Sequence, residues 1–523
     1  MKSVEVPQYE VGSRIFVSGE RGTIMYIGEV LNTEGVWLGI DWDNPARGKH
    51  DGTQMGIRYF TASHPTSGSF VRPKKVSTGI TLLEAIENRY GEITDGTAGL
   101  DLDKINEVQR EMKAKFFEVV GAEKLNKQQS NFRNLQTVVL HGTTVSCAGP
   151  PSEILDRCPN IRELHLGNTL LSSWRTIYEI VSQLKQLSIL NVSSNRLRVD
   201  DLEAETFSSL THLIMGKLNY TWDDVLRCFS FMLNAETVQV PFNDIRVLRV
   251  PPEHVFTRLA NLDLEGNQFE SWGEINKLGK IKTLKSMNLR ACGLKEINFP
   301  SPDDSETDLF ENLESLALSN NLFDDWVHIS ELDKLRCLVD LKFKDNPILE
   351  KESLETNHQL LIARIRKLEK INGAIILPED RRGSEVDYHK RYGLEWLGLK
   401  DDEAKAEFLR RHPCYKRFLE KFGPPDINEL RMPNTSLRSK LIQIEIFSPD
   451  HKDKSYLKKV PYNISVQKLA GLTQRLFNTG CEMPKLTCIH FEGSKVFEVP
   501  IDNDMKQLDF YSIRNGDKIS VRW

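Results

Sequence analysis

The chain has 523 residues, enough for more than one domain. Its 69 basic residues stand against 74 acidic ones, a net charge of −5, which argues against nucleic-acid binding through a basic excess. No segment approaches the ~18 apolar residues of a membrane span, residues 1 to 7 lack the apolar core of a secretion signal, and none of the eight cysteines forms a Cys-x-x-Cys pair.

The first predicted module spans residues 1 to 78. Short β-branched and aromatic runs alternate with glycine-containing turns at Gly22–Gly28, Val36–Asp43, Tyr59-Phe60 and Gly68–Val71. This pattern predicts a small all-β barrel. Its aromatic residues are too many for so small a module to bury, so some should line a surface groove.

The run Val36-Trp37-Leu38-Gly39-Ile40-Asp41-Trp42-Asp43, followed by Gly48-Lys49-His50-Asp51-Gly52, resembles the CAP-Gly family, modules that bind tubulin and microtubules. The resemblance covers residues 9 to 76. It implies a groove for an acidic C-terminal tail. Lys49 would supply a mobile ammonium, the backbone N–H groups of the Gly48–Gly52 turn would meet carboxylate oxygens, and Trp37, Phe60 and Phe70 would wall in a terminal Tyr or Phe. Asp51 is expected to pin the turn, and Trp42 and Tyr59 to sit in the core. The family carries Asn where this chain has His50. Histidine can still donate a hydrogen bond, but its reach and charge differ.

Residues 79 to 130 are expected to form a helical linker and cap. Leu82, Leu83 and Ile86, then Ile105, Val108, Met112, Phe116 and Phe117, recur with helical spacing. Residues 131 to 375 carry a repeat. Its last apolar positions are Leu140, Leu166, Val192, Met215, Val240, Leu264, Leu289, Leu318 and Phe343, separated by 26, 26, 23, 25, 24, 25, 29 and 25 residues. This period is that of leucine-rich repeats and predicts an α/β solenoid. An Asn follows three residues later at Asn195, Asn243, Asn267, Asn321 and Asn346, with Cys292 in that place in another copy. These side chains are expected to satisfy backbone groups that have no strand partner. The exposed strand positions, from Glu163 and His165 to Lys342 and Lys344, make a mixed surface suited to a protein partner. The helical pattern at 360–371, closing at Asn372-Gly373, should cap the solenoid.

Residues 376 to 437 read as a charged helical linker. In 438 to 523, strands at Leu441–Ile446 and Lys458–Pro461, a helix from Ser465, and strands at Leu486–Phe491 and Lys518–Trp523 resemble the α+β ubiquitin-like β-grasp. The chain stops at Arg522-Trp523 within a strand, so this domain is expected to bind other proteins and not to be conjugated to them.

Enzyme motifs are missing. There is no phosphate-binding G-x-x-x-x-G-K-[ST] loop, no G-x-S-x-G elbow and no H-E-x-x-H helix. The twelve histidines do not group with cysteines or carboxylates at metal-ligand spacing. We expect no catalytic residue, metal or cofactor.

The three modules in this order resemble the tubulin folding cofactor E family of tubulin-specific chaperones. The resemblance implies a cytoplasmic, cytoskeleton-associated, non-enzymatic protein that captures α-tubulin. It would act with other tubulin folding cofactors and β-tubulin in assembling the αβ heterodimer, and could also dissociate it. Two alternatives stand beside this: an adaptor whose ubiquitin-like domain delivers tubulin to the proteasome, and a protein of the microtubule lattice or plus end.

Overall fold

A computed structural model describes residues 9–91, 130–199, 206–301, 305–430, 441–450, 454–461, 464–479, 483–492, 495–501, 506–511, 513 and 516–523. The chain divides into two compact bodies, residues 1–423 and 424–523.

In the first module, β1 (Arg14–Val17), β2 (Glu20–Gly28), β3 (Trp37–Trp42), a hairpin of β4 (Thr53–Gln54) and β5 (Ile57–Arg58), and β6 (Gly68–Val71) follow in order. Strands β1, β2, β3 and β6 form one antiparallel sheet in that sequence. Alternation turns Ile15, Ile24, Leu38, Ile40 and Trp42 inward, and these residues are the core of the module.

Among the described residues the repeats make nine three-residue strands, the first at Thr137–Val139 and the last at Asp340–Lys342. Each pairs in parallel with its neighbour in chain order, and two short strands at 370–371 and 374–375 close the row. The middle residue of each strand is buried, as at Leu164, Leu190, Leu262 and Leu341. The second residue past each copy's last apolar position is left-handed, with φ between 52° and 78°, from Gly142 through Asn168, Ser194, Lys217, Phe242, Gly266, Ala291 and Asn320 to Asp345.

The recurrent asparagines do what their position predicted. Asn195 donates to the Leu166 and Val192 carbonyls (2.7 and 2.9 Å) and accepts from the Thr169 amide (2.8 Å). Asn267 accepts from the amides of Asn243 (3.1 Å) and Ile245 (3.0 Å). Where Cys292 replaces Asn, its thiol donates to the Leu264 carbonyl at 3.3 Å, a weaker bond in the same place.

A longer period is superposed on the short one. From the second copy to the eighth, an α-helix follows the strand only in alternate copies among the described residues, at Trp174–Val181, Trp222–Phe229, Trp272–Asn276 and Trp326–Ser330. Each helix opens on tryptophan after Ser173, Thr221, Ser271 or Asp325, residue types that favour the N-cap. The tryptophans step by 48, 50 and 54 residues. The intervening copies supply phenylalanines instead. Trp174 meets Phe207 at 6.0 Å, Trp222 meets Phe256 at 6.0 Å, and Trp272 meets Phe299 at 5.9 Å between ring centroids. Indole is too large to be covered by one thin layer, so the neighbouring copy completes its burial.

At the first end, strand Ile80–Thr81 pairs with Val145–Cys147, and helix Leu82–Tyr90 buries Leu82, Leu83 and Ile86 in the repeat core. This stretch belongs to the array and is not a free linker. The expected helical positions Ile105, Val108, Met112, Phe116 and Phe117 lie outside the described residues. At the other end the structure corrects the expectation of a helical linker over 376–437. Helix Pro378–Arg391 packs on the capping helix Leu354–Arg364, Gly393–Gly398 and Cys414–Phe422 pack on Pro378–Arg391, and Asp402–Arg411 packs on Cys414–Phe422 and on the last repeat helix. Leu360, Ala363, Tyr388, Phe408, Tyr415 and Phe418 form their shared core. Arg364, 2% exposed, lies between the rings of Trp326 and Tyr388 and donates to Ser330 Oγ at 2.6 Å. That buried cation ties the last repeat helix, the capping helix and the helical segment together.

Among the described residues of the second body, five strands are ordered Ser455–Pro461, Leu441–Phe447, Lys518–Arg522, Lys485–Glu492 and Lys495–Ile501. The central pair, Leu441–Phe447 and Lys518–Arg522, is parallel, and helix Val466–Phe477 covers the sheet with Leu469, Ala470 and Phe477. This is the β-grasp order expected, with one strand, Lys495–Ile501, that the sequence pattern did not single out.

Among the described residues no helix is long and apolar enough to cross a membrane, and no group of three or more His, Cys, Asp or Glu side chains is placed to hold a metal ion.

Candidate functional site

The Gly48–Gly52 turn is built by close backbone approach. A Cβ on Gly48 would fall 2.4 Å from the Thr66 carbonyl oxygen and 2.4 Å from the Ser67 carbonyl carbon. The Lys49 and His50 amides both donate to the Gly68 carbonyl (2.8 and 3.2 Å), and the Gly68 amide returns a bond to His50 (2.7 Å). The turn is thereby fastened to the start of β6.

These bonds narrow one expectation, that the N–H groups of the Gly48–Gly52 turn meet carboxylate oxygens. The amides of residues 49 and 50 are spent on Gly68, that of Gly52 on His50 Nδ1 (3.0 Å), and that of Thr53 on Asp51 Oδ1 (3.0 Å). These four donors are not free for a carboxylate ligand. Asp51 pins the turn as expected, and its second oxygen pairs with Arg58 at 2.8 Å. The bonds from Thr53 hold the Asp51 carboxyl below its usual range.

Beside the turn lies a groove of about 570 Å³ lined by Trp37, Lys49, His50 and Phe70, with Val30, Thr33 and Gln54 on its walls. Trp37 is half-buried and donates to Thr33 Oγ1 at 2.8 Å. Phe70 is half-buried in a cluster with Tyr59 (5.3 Å), Phe60 (5.7 Å) and His50 (5.1 Å). Phe60 is not part of the wall. It is 6% exposed and packs on Gly39, where an added Cβ would meet its ring at 2.6 Å. Phe60 therefore supports the groove from beneath. Tyr59, expected in the core with Trp42, is only half-buried, and its hydroxyl accepts from the Leu31 amide at 2.9 Å.

Three cations were not singled out from the sequence. Arg47, Arg72 and Lys75 line the groove with Lys49, and the lining contains no Asp or Glu. Arg72 stacks 3.8 Å over the Trp37 ring, and Arg47 lies 4.8 Å from the Trp42 ring centre. The ion pairs of this module use Arg14, Arg58 and Arg196. None of the four groove cations has an ion-pair partner among the described residues. Their positions just before Gly48 and just after Val71 were the available signal.

His50 accepts the Gly52 N–H on Nδ1, so its proton sits on Nε2 and the ring is neutral. Burial holds its pKa below 6.5, against the smaller opposing pull of Asp51. A depressed folded-state pKa means the unfolded chain binds more protons. The stabilisation is complete above pH 6.5 and is lost as pH falls below it. In the full chain, His50→Asn should remove part of the loss of thermal stability seen on acidification below pH 6.5. An unchanged acid-side slope would mean the ring is not held neutral.

A family model described as the CAP-Gly domain matches residues 11–76. Over its full length the chain is similar to curated proteins named tubulin-specific chaperone E. It is 38% identical to that of Danio rerio, over 98% of this chain and 99% of the relative. It is 36% identical to that of Xenopus laevis (100% of both) and 36% identical to that of Homo sapiens (98% of both). Among solved structures, the C-terminal ubiquitin-like domain of mouse tubulin-specific chaperone e is 27% identical, covering 17% of this chain and 93% of that domain with a TM-score of 0.15.

Proposed function

The chain belongs to the tubulin-specific chaperone E family, and we propose from that premise that it captures α-tubulin by holding the acidic C-terminal tail in the groove of its first module. The observation that carries this reading is the set of four cations, Arg47, Lys49, Arg72 and Lys75, lining a groove without one carboxylate. Cations without an ion-pair partner among the described residues, set around half-buried aromatic rings, suit a ligand that is acidic along its length and apolar or aromatic at its end.

The stacked array is a leucine-rich-repeat solenoid in this reading. Its broad polar face shields a tubulin assembly surface that would otherwise aggregate. Joining tail clamp and array raises effective concentration, so each contact can be weak and releasable. The protein is non-enzymatic, uses no metal or cofactor, and works in the cytoplasm with the cytoskeleton. Captured α-tubulin passes to an assembly with β-tubulin and the other folding cofactors, and the same contacts serve heterodimer dissociation. The ubiquitin-like body acts at that later stage as a protein-binding module.

Lys49→Ala should weaken binding of an acidic tail peptide by about 1–2 kcal/mol, with the loss shrinking as salt rises. Removing the tail from α-tubulin should weaken capture by the full chain. Tailless α-tubulin captured as tightly as the intact protein would sink the reading.

A further inference from the structure

The β4–β5 hairpin carries an anomaly. Its two-residue turn is Met55-Gly56, with φ of 49° and 78°. Both central residues are left-handed, the type I′ geometry that selects Asn, Asp or Gly at its first position. Methionine there opposes the local backbone preference, and it is 65% exposed, so it contributes little to the module's core. An exposed apolar side chain held in an unfavourable conformation points to a role outside the fold.

Met55 is not isolated. The Asn32 amide reaches its sulfur at 3.5 Å, which brings the hairpin tip against the loop that carries Leu31. Leu31 is 49% exposed and Ile57 44% exposed. Ile57 pairs with Gln54, a groove residue, and Leu31 lies between Val30 and Thr33 of the groove wall in sequence. These three exposed apolar residues, on a loop and a hairpin tip that adjoin groove residues Val30 and Gln54 in the chain, make up its rim.

We infer that Leu31, Met55 and Ile57 dock an apolar segment of the tail-bearing partner's folded body, next to the acidic tail that the groove holds. The inference rests on the reading of the groove as a tail site. The occupant follows from what adjoins the rim. A tail held by Lys49 and Arg72 remains joined to its own folded body, and the segments flanking the groove carry the exposed Leu31, Met55 and Ile57 beside the charged Glu34 and Arg58. A tail peptide alone would fill the groove and leave the rim uncovered.

The test uses the full chain, αβ-tubulin with and without its tails, and a synthetic acidic tail peptide ending in a free carboxylate. Asparagine suits the left-handed position, so Met55→Asn should preserve or raise thermal stability while removing the apolar contact. Met55→Asn combined with Leu31→Ser should weaken binding of αβ-tubulin about tenfold and change peptide affinity less than about twofold. The loss should persist with tailless tubulin. Unchanged tubulin affinity overturns the inference, as does an equal loss for the peptide. The groove reading fails separately, through Lys49→Ala leaving the peptide bound. A tubulin-specific loss in the Met55→Asn protein supports the rim in that case too.

Discussion

Replacing Trp222 by alanine is expected to destabilise the repeat array by about 3–5 kcal/mol, the usual range for deleting a buried aromatic side chain. Trp222 is 2% exposed, and its ring lies against Phe256 in the next copy. Its indole N–H donates to the Arg249 carbonyl at 2.9 Å. Alanine would empty that space, leave Phe256 without its partner and orphan a carbonyl in one step. Trp326 is the control. It opens an equivalent helix but is only half-buried and stacks on Arg364 in place of a phenylalanine. Trp326→Ala should cost less. Denaturant unfolding followed by circular dichroism measures both, and an equal loss at the two positions would refute the packing argument.

The second large effect is expected at Gly48. An alanine methyl would sit 2.4 Å from backbone atoms of Thr66 and Ser67, which cannot rotate away as a side chain could. The turn must lift off β6, at about 1–3 kcal/mol by analogy with overpacked cores. The bonds from Lys49 and His50 to Gly68 would lengthen, and Lys49 would leave its place in the groove. Tail-peptide affinity should therefore collapse even in protein that still folds. Gly56→Ala separates space from conformation. Gly56 has no neighbour within 4 Å of its hypothetical Cβ, but its φ is 78°, so only the left-handed penalty applies, roughly 1–2 kcal/mol. Peptide binding measured by fluorescence anisotropy should fail in Gly48→Ala and survive in Gly56→Ala. Equal retention in both would show that the close approach is not required.

Much of this was legible in the sequence because the physics is local and repeated. A side chain every 23 to 29 residues that must reach orphan carbonyls leaves a periodic Asn, and Asn195, Asn243 and Asn267 stand where that logic puts them. Motif glycines were legible too, since Gly48 answers to backbone crowding and Gly52 to crowding together with a φ of 97°. Other features depend on segments far apart in the chain. Phe60 and Tyr59 are adjacent aromatics, and which one is buried depends on Gly39 in another strand, so the family resemblance that put Phe60 in the wall and the expectation that put Tyr59 in the core could not see it. The basic lining comes from Arg47, Arg72 and Lys75 in two segments, and charge counting over the whole chain concealed it. Residues 378 to 422 are charged enough to read as a linker, yet a few aromatics such as Tyr388, Phe408 and Tyr415 suffice for a core once they converge on Leu360.

The alternation of tryptophan-bearing and phenylalanine-bearing copies has a consequence for how such an array can change length. Duplicating or losing a single copy of about 25 residues would preserve strand pairing and the asparagine bonds. It would also set two tryptophan layers, or two phenylalanine layers, face to face, crowding one joint and leaving the other hollow. Only doublets can be inserted or excised without that mismatch. The heritable building block is then the ~50-residue doublet, and an engineer extending the array should graft it whole.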